Sequence, residues 1–311
     1  MIAASASSMA AAPALPRRPL SQRIFGEHPT AWAFTAPAIV IIIGLNIVPM
    51  VWSLVLSFEA TDLIAPGRWV GVDNYKALVK DPALGEAVVH TLVFTALFVP
   101  LCVGLGLALA LALNRRIRLI GLYRTMILVP FIVATAVQGV LFSFIFDQRF
   151  GVANSVLHTL GLPQQGFFGD PGQALYLLVL VALWGSIGFC VIIYLAALQD
   201  VPKELSEAAA VDGARRWGTL RHVVLPQLTP VTVFLVVWQT LFSLQIFELV
   251  YATTRGGPLR STTVIVYYIY VQAFELFHAG YAAAVAYVVA VALVAIAGAQ
   301  MLHKRVRSAR A

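Results

Sequence analysis

Glu207-Ala208-Ala209-Ala210-Val211-Asp212-Gly213-Ala214, followed at Leu225-Pro226 by a return to apolar sequence, is a polar, Ala/Gly-rich stretch in an otherwise greasy chain. Apolar runs flank it at about 175–198 and 228–251. Each is long enough to be a membrane span, which needs roughly 20 mostly apolar residues, so the polar stretch reads as an inter-span loop. Asp200 can cap a helix whose first turn accommodates Pro202. Leu205, Ala208, Ala209 and Asp212 then fall near one face, where small residues permit close approach of a partner. Asp212-Gly213 reads as a turn or helix C-cap, 214–222 as a second short helix, and Pro226 as the start of the next span. Two short helices joined at a glycine make a rigid knob.

The composition sets the class around that loop. Of 311 residues, 60% are hydrophobic and 11% charged, and the mean hydropathy is +0.86. Such a balance excludes a soluble domain and fits a polytopic membrane protein. Six stretches are long enough to span: about 31–58, 87–113, 120–146, 175–198, 228–251 and 279–302. A further candidate, Val264–Phe277, has only 14 residues and reads as an amphipathic or re-entrant segment. Isolated apolar segments of this length must satisfy their backbone groups internally, so the expected fold is all-α with six transmembrane helices.

Charge sets the orientation. Arg17, Arg18 and Arg23, then Arg115, Arg116, Arg118 and Arg124, then Lys203, Arg215, Arg216 and Arg221, then Lys304, Arg305, Arg307 and Arg310 fall on one side of six spans. The other side holds Arg68, Lys76, Lys80, Arg149, Arg255 and Arg260. The positive-inside rule then puts both termini and the 199–226 loop in the cytoplasm. A seventh span would throw the basic C-terminal tail outside. The net charge of +7 is therefore a topology signal, and no basic soluble domain exists to bind nucleic acid.

The expected organisation is a cytoplasmic tail over 1–30, disordered at its start, a permeating domain over 31–302, and a basic tail over 303–311. The first apolar run is too long for a signal-peptide core and reads as a retained helix. Cys102 and Cys190 fall inside spans and need no role beyond helix packing. His90, His158, His222 and His278 lack metal-ligand spacing, and no nucleophile–base arrangement is present, so neither an enzyme nor a bound metal is expected. No G-x-x-x-x-G-K-[ST] phosphate loop occurs in the chain.

The run from Glu207 through Gly213 to Pro226, with Val223 where Ile is usual, resembles the EAA loop of permease subunits of binding-protein-dependent ABC importers. Phe247-Glu248-Leu249-Val250-Tyr251, Gly256-Gly257-Pro258, Thr262-Thr263, Tyr268-Ile269-Tyr270 and Ala273-Phe274 extend the likeness, as does Gly71-Val72-Asp73-Asn74-Tyr75 upstream. Together they cover about 31–302 and are similar to the carbohydrate-type maltose and glycerol-phosphate permease group, of MetI-like fold. Glu248 departs from the group, where many relatives carry Asp, and the first external loop is too short for an inserted domain. The resemblance implies that Glu207, Ala208, Ala209, Asp212, Gly213 and Pro226 form the contact with an ATPase subunit. It implies further partners: a second permease subunit as heterodimer partner, an ATP-binding subunit dimer carrying ATP and magnesium, an extracytoplasmic solute-binding protein and the lipid bilayer. The implied location is the bacterial cytoplasmic (inner) membrane.

Depth and analogy together nominate a substrate pathway. Gly185, Ser186 and Phe189 on the fourth span, and Gln239, Ser243 and Ile246 on the fifth, lie near mid-membrane, with Glu248 nearer the outside. Relatives of the maltose type place substrate contacts on these two helices. The competing reading is interhelical packing, since Ser and Gln also bond across helices. Trp184 and Trp238 can offer ring faces to sugar C–H groups or simply pack. The neutral-polar and aromatic lining favours an uncharged polyhydroxylated solute such as a sugar over a glycerol phosphate or glycerophosphodiester. Arg149, Arg255 and Arg260 lie on the external side, where they can assist an anion. A self-sufficient secondary transporter is the other class, but the second, third, fourth and sixth spans carry no central Asp or Glu for ion coupling.

Overall fold

The computed structural model describes residues 29–62, 64, 67–115 and 118–308. The disordered start expected over 1–20, and the terminal arginines Arg17, Arg18, Arg23 and Arg310, lie outside the described residues. The chain divides between Ser53 and Leu54 into two compact units. The described part of the first is one apolar helical run: α1 (Pro29–Ile42), a π-helical turn over Ile43–Ile47, and the start of α2 (Val48–Leu56).

The second unit opens with a folded loop. Strands β1 (Glu59–Ala60) and β2 (Arg68–Trp69) pair antiparallel and lead into α3 (Asp73–Val79). Asn74 donates its amide to the carbonyls of Ser57 and Glu59 at 2.9 and 3.0 Å. The Tyr75 and Ser57 hydroxyls lie 2.7 Å apart, and Phe58 stacks on Trp69 at 5.6 Å between centroids. The Asn74-Tyr75 dipeptide thus closes this loop with side-chain hydrogen bonds.

The core of the second unit is a crossing of two long helices, α4 (Pro82–Leu113) and α8 (Ala174–Gln199). Phe94, Phe98, Cys102 and Ala110 of α4 and Leu178, Val181, Cys190 and Tyr194 of α8 are fully buried in one cluster. The backbones meet where Gly106 faces Cys190; a Cβ at Gly106 would lie 2.5 Å from the Cys190 Cβ. Small residues that allow such approach drive helix association where lipid supplies no hydrophobic force.

The expected continuous span over 120–146 is two helices. α5 (Ile120–Ile132) and α6 (Thr135–Ile145) meet at 98°. Pro130 cannot donate a helical N–H, and Val133 and Ala134 are extended, so carbonyls near the break lose their helical partners. Buried Gln138 replaces them, its amide donating to Pro130 O at 3.1 Å and Val133 O at 2.7 Å. Irregular backbone at membrane depth survives only with such internal satisfaction.

Helix α7 (Val152–Thr159) precedes α8, and α9 (Lys203–Val211) follows it. A second helical run comprises α10 (Arg216–Thr219), a π-turn over Leu220–Val224 and α11 (Leu225–Gln227). It bends by 63° into α12 (Thr229–Leu244). The run expected over 228–251 therefore stops at Leu244. After an interruption at 245–247, the short α13 (Glu248–Ala252) begins. The 264–277 segment forms α14 (Ile265–Tyr270) and a π-turn, Val271–Glu275, packed on α4 and on α15 (Ala279–Ser308). Among the described residues, three helices are long and apolar enough to cross a membrane, or five if each bent pair is one span.

Asp81 ties three elements at one end of this unit. Its carboxylate accepts from the backbone amides of Ala83 and Leu84 as the α4 N-cap. It also accepts from the hydroxyls of Tyr268 on α14 and, at 2.6 Å, Tyr281 on α15. Burial pushes the Asp81 pKa up, but these hydrogen bonds outweigh it and hold the carboxyl below its ordinary value. Burial, then the Asp81 contact, pushes Tyr268 up to about 12.

Two outcomes follow. A pKa depressed by folding gives stability that is full above the ordinary carboxylate value of 3.8 and is lost as pH falls through the folded value. Thermal unfolding of purified protein should therefore show an acid limb below that pH which Asp81→Asn removes; an unchanged limb would rule the junction out. Gln138→Leu strips the side-chain partner from the Val133 carbonyl and leaves the Pro130 carbonyl only the Val133 amide, at 3.2 Å, which costs about 1–3 kcal/mol for an unsatisfied buried group. Its melting temperature should fall more than that of a Val137→Leu control, a residue 57% exposed.

Candidate coupling knob and translocation face

The loop between α8 and α12 is a knob of two helical pieces. Pro202 opens α9 with its fixed φ of −58°, and no side chain caps that end. The capping role expected of Asp200 is not realised, because Asp200 terminates α8. At the other end the Gly213 amide donates to Ala210 O at 3.1 Å and the Ala214 amide to Ala209 O at 2.8 Å. This is a Schellman closure, and Gly213 supplies the left-handed residue it needs at φ +79°. The second piece begins at Arg216 and runs to Gln227, past the limit expected at 222.

Glu207, Ala208, Asp212, Gly213 and Pro226 are exposed, and Ala209 is half-buried. Between them the knob presents two apolar side chains that motif reading passed over, Val211 at 88% and Trp217 at 70% exposure. The adjacency of Trp217 to Arg215 and Arg216 in a polar loop is the sequence signal for Trp217; Val211 has none. Behind α9, Ser206, Glu207 and Ala210 wall a cavity of about 640 Å³ against Asn114, Gln199 and Leu220. At the neighbouring α4 C-terminus the Arg124 guanidinium donates to Leu113 O at 3.1 Å.

The nominated pathway residues separate into two groups. Gln239 is 2% exposed and Ser243 fully buried. Gln239 Nε2 donates to the sulfurs of Cys102 and Cys190 at 3.3 and 3.2 Å. Ser243 donates to Thr95 Oγ1 at 3.0 Å, and Tyr194 donates to Thr232 Oγ1 at 3.0 Å. Thr232, Gln239 and Ser243 therefore form one stripe of α12 whose polar groups are consumed by α4 and α8, the packing alternative. Gly185 is also a packing position, since a Cβ there would fall 2.2 Å from Gln138 Oε1. Ile246 lies beyond the end of α12, in the core cluster, and shares no helical stripe with Gln239. Glu248 starts α13 and is exposed.

Ser186 and Phe189 stay at a half-buried surface with an aromatic run that crosses three helices. Phe131 of α5 meets Phe189 of α8 at 5.5 Å between centroids. Phe189 stacks on Trp238 of α12 at 5.7 Å, and Trp238 meets Phe234 at 6.0 Å. Trp238 is 51% and Phe234 47% exposed. Phe131, Phe234 and the orientation of Trp238 were missed in the sequence, because an aromatic in an apolar run carries no signal of the face it occupies. Among the described residues, no group of three or more His, Cys, Asp or Glu side chains could hold a metal ion.

Long apolar helices, two bent helix pairs and polar groups satisfied between helices define a helical membrane protein. Residues 103–308 match the family "Binding-protein-dependent transport system inner membrane component", and the chain belongs to it. It is 34% identical to the lactose transport system permease protein LacF of Rhizobium radiobacter over 89% of this chain and 94% of that one. It is 32% identical to the sn-glycerol-3-phosphate transport system permease protein UgpA of Agrobacterium fabrum over 91% and 98%. A solved bacterial ABC transporter for import of the acidic polysaccharide alginate superposes with a TM-score of 0.81 at 24% identity, covering 91% of this chain and 97% of that one, and so shares the fold. The chain is a membrane-integral ABC importer permease.

The packing of the α12 stripe gives a test. Ser243→Ala and Gln239→Leu remove one interhelical hydrogen-bonding group each, at about 0.5–1.5 kcal/mol. Both should lower the melting temperature while transport per assembled complex in liposomes stays normal. A normal melting temperature with impaired transport would return these residues to the pathway.

Proposed function

We propose that this chain is the six-span half of a permease pair in a bacterial cytoplasmic membrane, with both termini and the 199–226 knob inside. It couples import of a sugar or related polyhydroxylated solute to ATP hydrolysis on a separate ATP-binding subunit dimer, which binds the magnesium and nucleotide. A second permease subunit completes the pathway, and an extracytoplasmic solute-binding protein delivers the solute. The Schellman-closed knob carries this reading, because it holds an acidic residue, small residues and a bare tryptophan clear of the helices that anchor it. The LacF and UgpA likenesses support the solute class, and a structural neighbour in complex with an alginate-bound periplasmic protein supports the delivery partner.

The solute path follows the aromatic face of Phe131, Phe189, Trp238 and Phe234, with Ser186 beside it. Ring faces pack against sugar C–H groups, and a hydroxyl orients them. Glu207→Lys reverses charge on the knob, and Gly213→Pro forces a φ that the Schellman closure cannot use. Each should abolish solute-stimulated ATP hydrolysis while the subunit still inserts and assembles; coupled transport in both would defeat the assignment. Cysteine labelling should find the 199–226 loop protected from an impermeant external reagent and 252–278 exposed. The opposite pattern would invert the topology.

A further inference from the structure

The loop between α13 and α14 is built more tightly than a connector requires. The Thr254 and Thr262 hydroxyls lie 2.7 Å apart, Thr262 Oγ1 donates to Gly257 O at 2.7 Å, and Thr263 Oγ1 donates to Gly256 O at 3.2 Å. His90 Nδ1 lies 3.1 Å from Thr263 O, and the Ile265 amide donates to Thr91 Oγ1 at 2.9 Å, so α4 anchors the loop. This lacing holds Arg255, Leu259 and Arg260 at φ +49°, +50° and +64°. Non-glycine residues in that region cost energy and persist where surrounding structure over-determines them, as at ligand clamps.

A cleft of about 300 Å³ opens beneath the loop, lined by Arg255, Arg260, Tyr267, Tyr268, Gln272 and, among others, Glu275. Among the described residues, neither guanidinium is within salt-bridge distance of a carboxylate; the one pair present is Lys76 with Asp73. Arg255 is steadied instead by the Tyr251 ring, its Cζ 5.7 Å from the centroid. Gln272 Nε2 donates to Tyr268 OH at 2.8 Å, and that hydroxyl is committed to Asp81. The Tyr268–Gln272 floor is therefore committed to Asp81, and Arg255 and Arg260 are the cleft's two cations.

We propose that this cleft is an entrance subsite for the single anionic group, a carboxylate, sulfonate or phosphate, of an acidic polyhydroxylated solute. The guanidiniums of Arg255 and Arg260 would take the anion through charge-assisted hydrogen bonds. Glu275 on the same wall disfavours a second negative charge, and the volume suits one sugar unit and excludes a protein segment of any length. The inference rests on the importer reading and deepens it: charge is read at the mouth, and the uncharged body of the solute passes to the aromatic face.

The test uses the complete importer in nanodiscs, without its solute-binding protein. Binding of glucuronate and glycerol 3-phosphate is compared with that of glucose and glycerol by saturation-transfer NMR. The anions should bind about tenfold or more tighter than their neutral counterparts, as expected for charge-assisted contacts. That advantage should vanish in the Arg255→Gln/Arg260→Gln double variant and return in part in Arg255→Lys/Arg260→Lys. Equal binding of anionic and neutral probes, or an anion advantage that survives the double glutamine variant, would overturn the subsite. So would a double variant that keeps anion binding but, in a parallel pull-down with the solute-binding protein added, loses its docking, since the arginines would then serve that partner's acidic surface. Failure of the importer reading has a separate signature: no ATPase stimulation of the wild-type complex by solute-loaded binding protein.

Discussion

The close crossing of α4 and α8 at Gly106 and Cys190, and the Gln239 amide that bonds into it, is the constraint on which the rest depends. Lipid supplies neither water nor a hydrophobic force to hold helices together, so polar groups must find partners inside the protein. Gln239 meets that demand by donating to Cys102 on one helix and Cys190 on the other. Those two bonds fix the rotation of α12 about its own axis. With Thr232, Gln239 and Ser243 turned inward, Phe234, Trp238 and Phe242 must turn outward, because residues four apart share a helical face. The aromatic face is thus a consequence of where the polar stripe is satisfied.

The same demand explains the break between α5 and α6. Bending the chain by 98° between α5 and α6 frees backbone carbonyls that would be prohibitive in hydrocarbon. Gln138 resolves this only because Gly185 leaves room for its side chain against α8. The break, the glutamine and the glycine are one device contributed by two helices. It brings Phe131, next to the proline that starts the break, to Phe189 and so completes the aromatic run.

Much of this was legible in the sequence, and the exceptions have a common cause. The knob was readable because capping, turn and charge signals are local: Asp212-Gly213 forms the expected closure, although Asp200 ends α8 instead of starting α9. Segment 264–277 was readable from its length as something other than one long helix, and it forms the short α14 and a π-turn. What periodicity could not supply was the face each residue occupies. In a membrane helix apolar residues point both to lipid and to the interior, so the amphipathic pattern that orients a soluble helix is absent. Gln239, Ser243 and Gly185 were accordingly nominated for the pathway from depth and analogy, and in the structure their groups meet neighbouring helices. The breaks at 133–134 and 245–247 were missed because the apolar runs continue on both sides of them, with Pro130 a local mark of the first.

The placement of the knob gives the proposed coupling a short mechanical path. It is anchored at one end to α8 and at the other, across the 63° bend, to α12. These two helices carry Phe189 and Trp238, which stack on each other within the aromatic face. A push on Glu207 or Trp217 would load both walls of that contact, through the three residues 200–202 on the α8 side and across the bend at Leu228 on the α12 side. The cavity behind α9 leaves space into which the knob can move. Helices displaced as rigid bodies about packed contacts shift between discrete arrangements. The interior bonds of Gln239 and Tyr194 would keep α12 registered on α8 during such a movement, so the two walls would move together while the break at α5–α6 flexes.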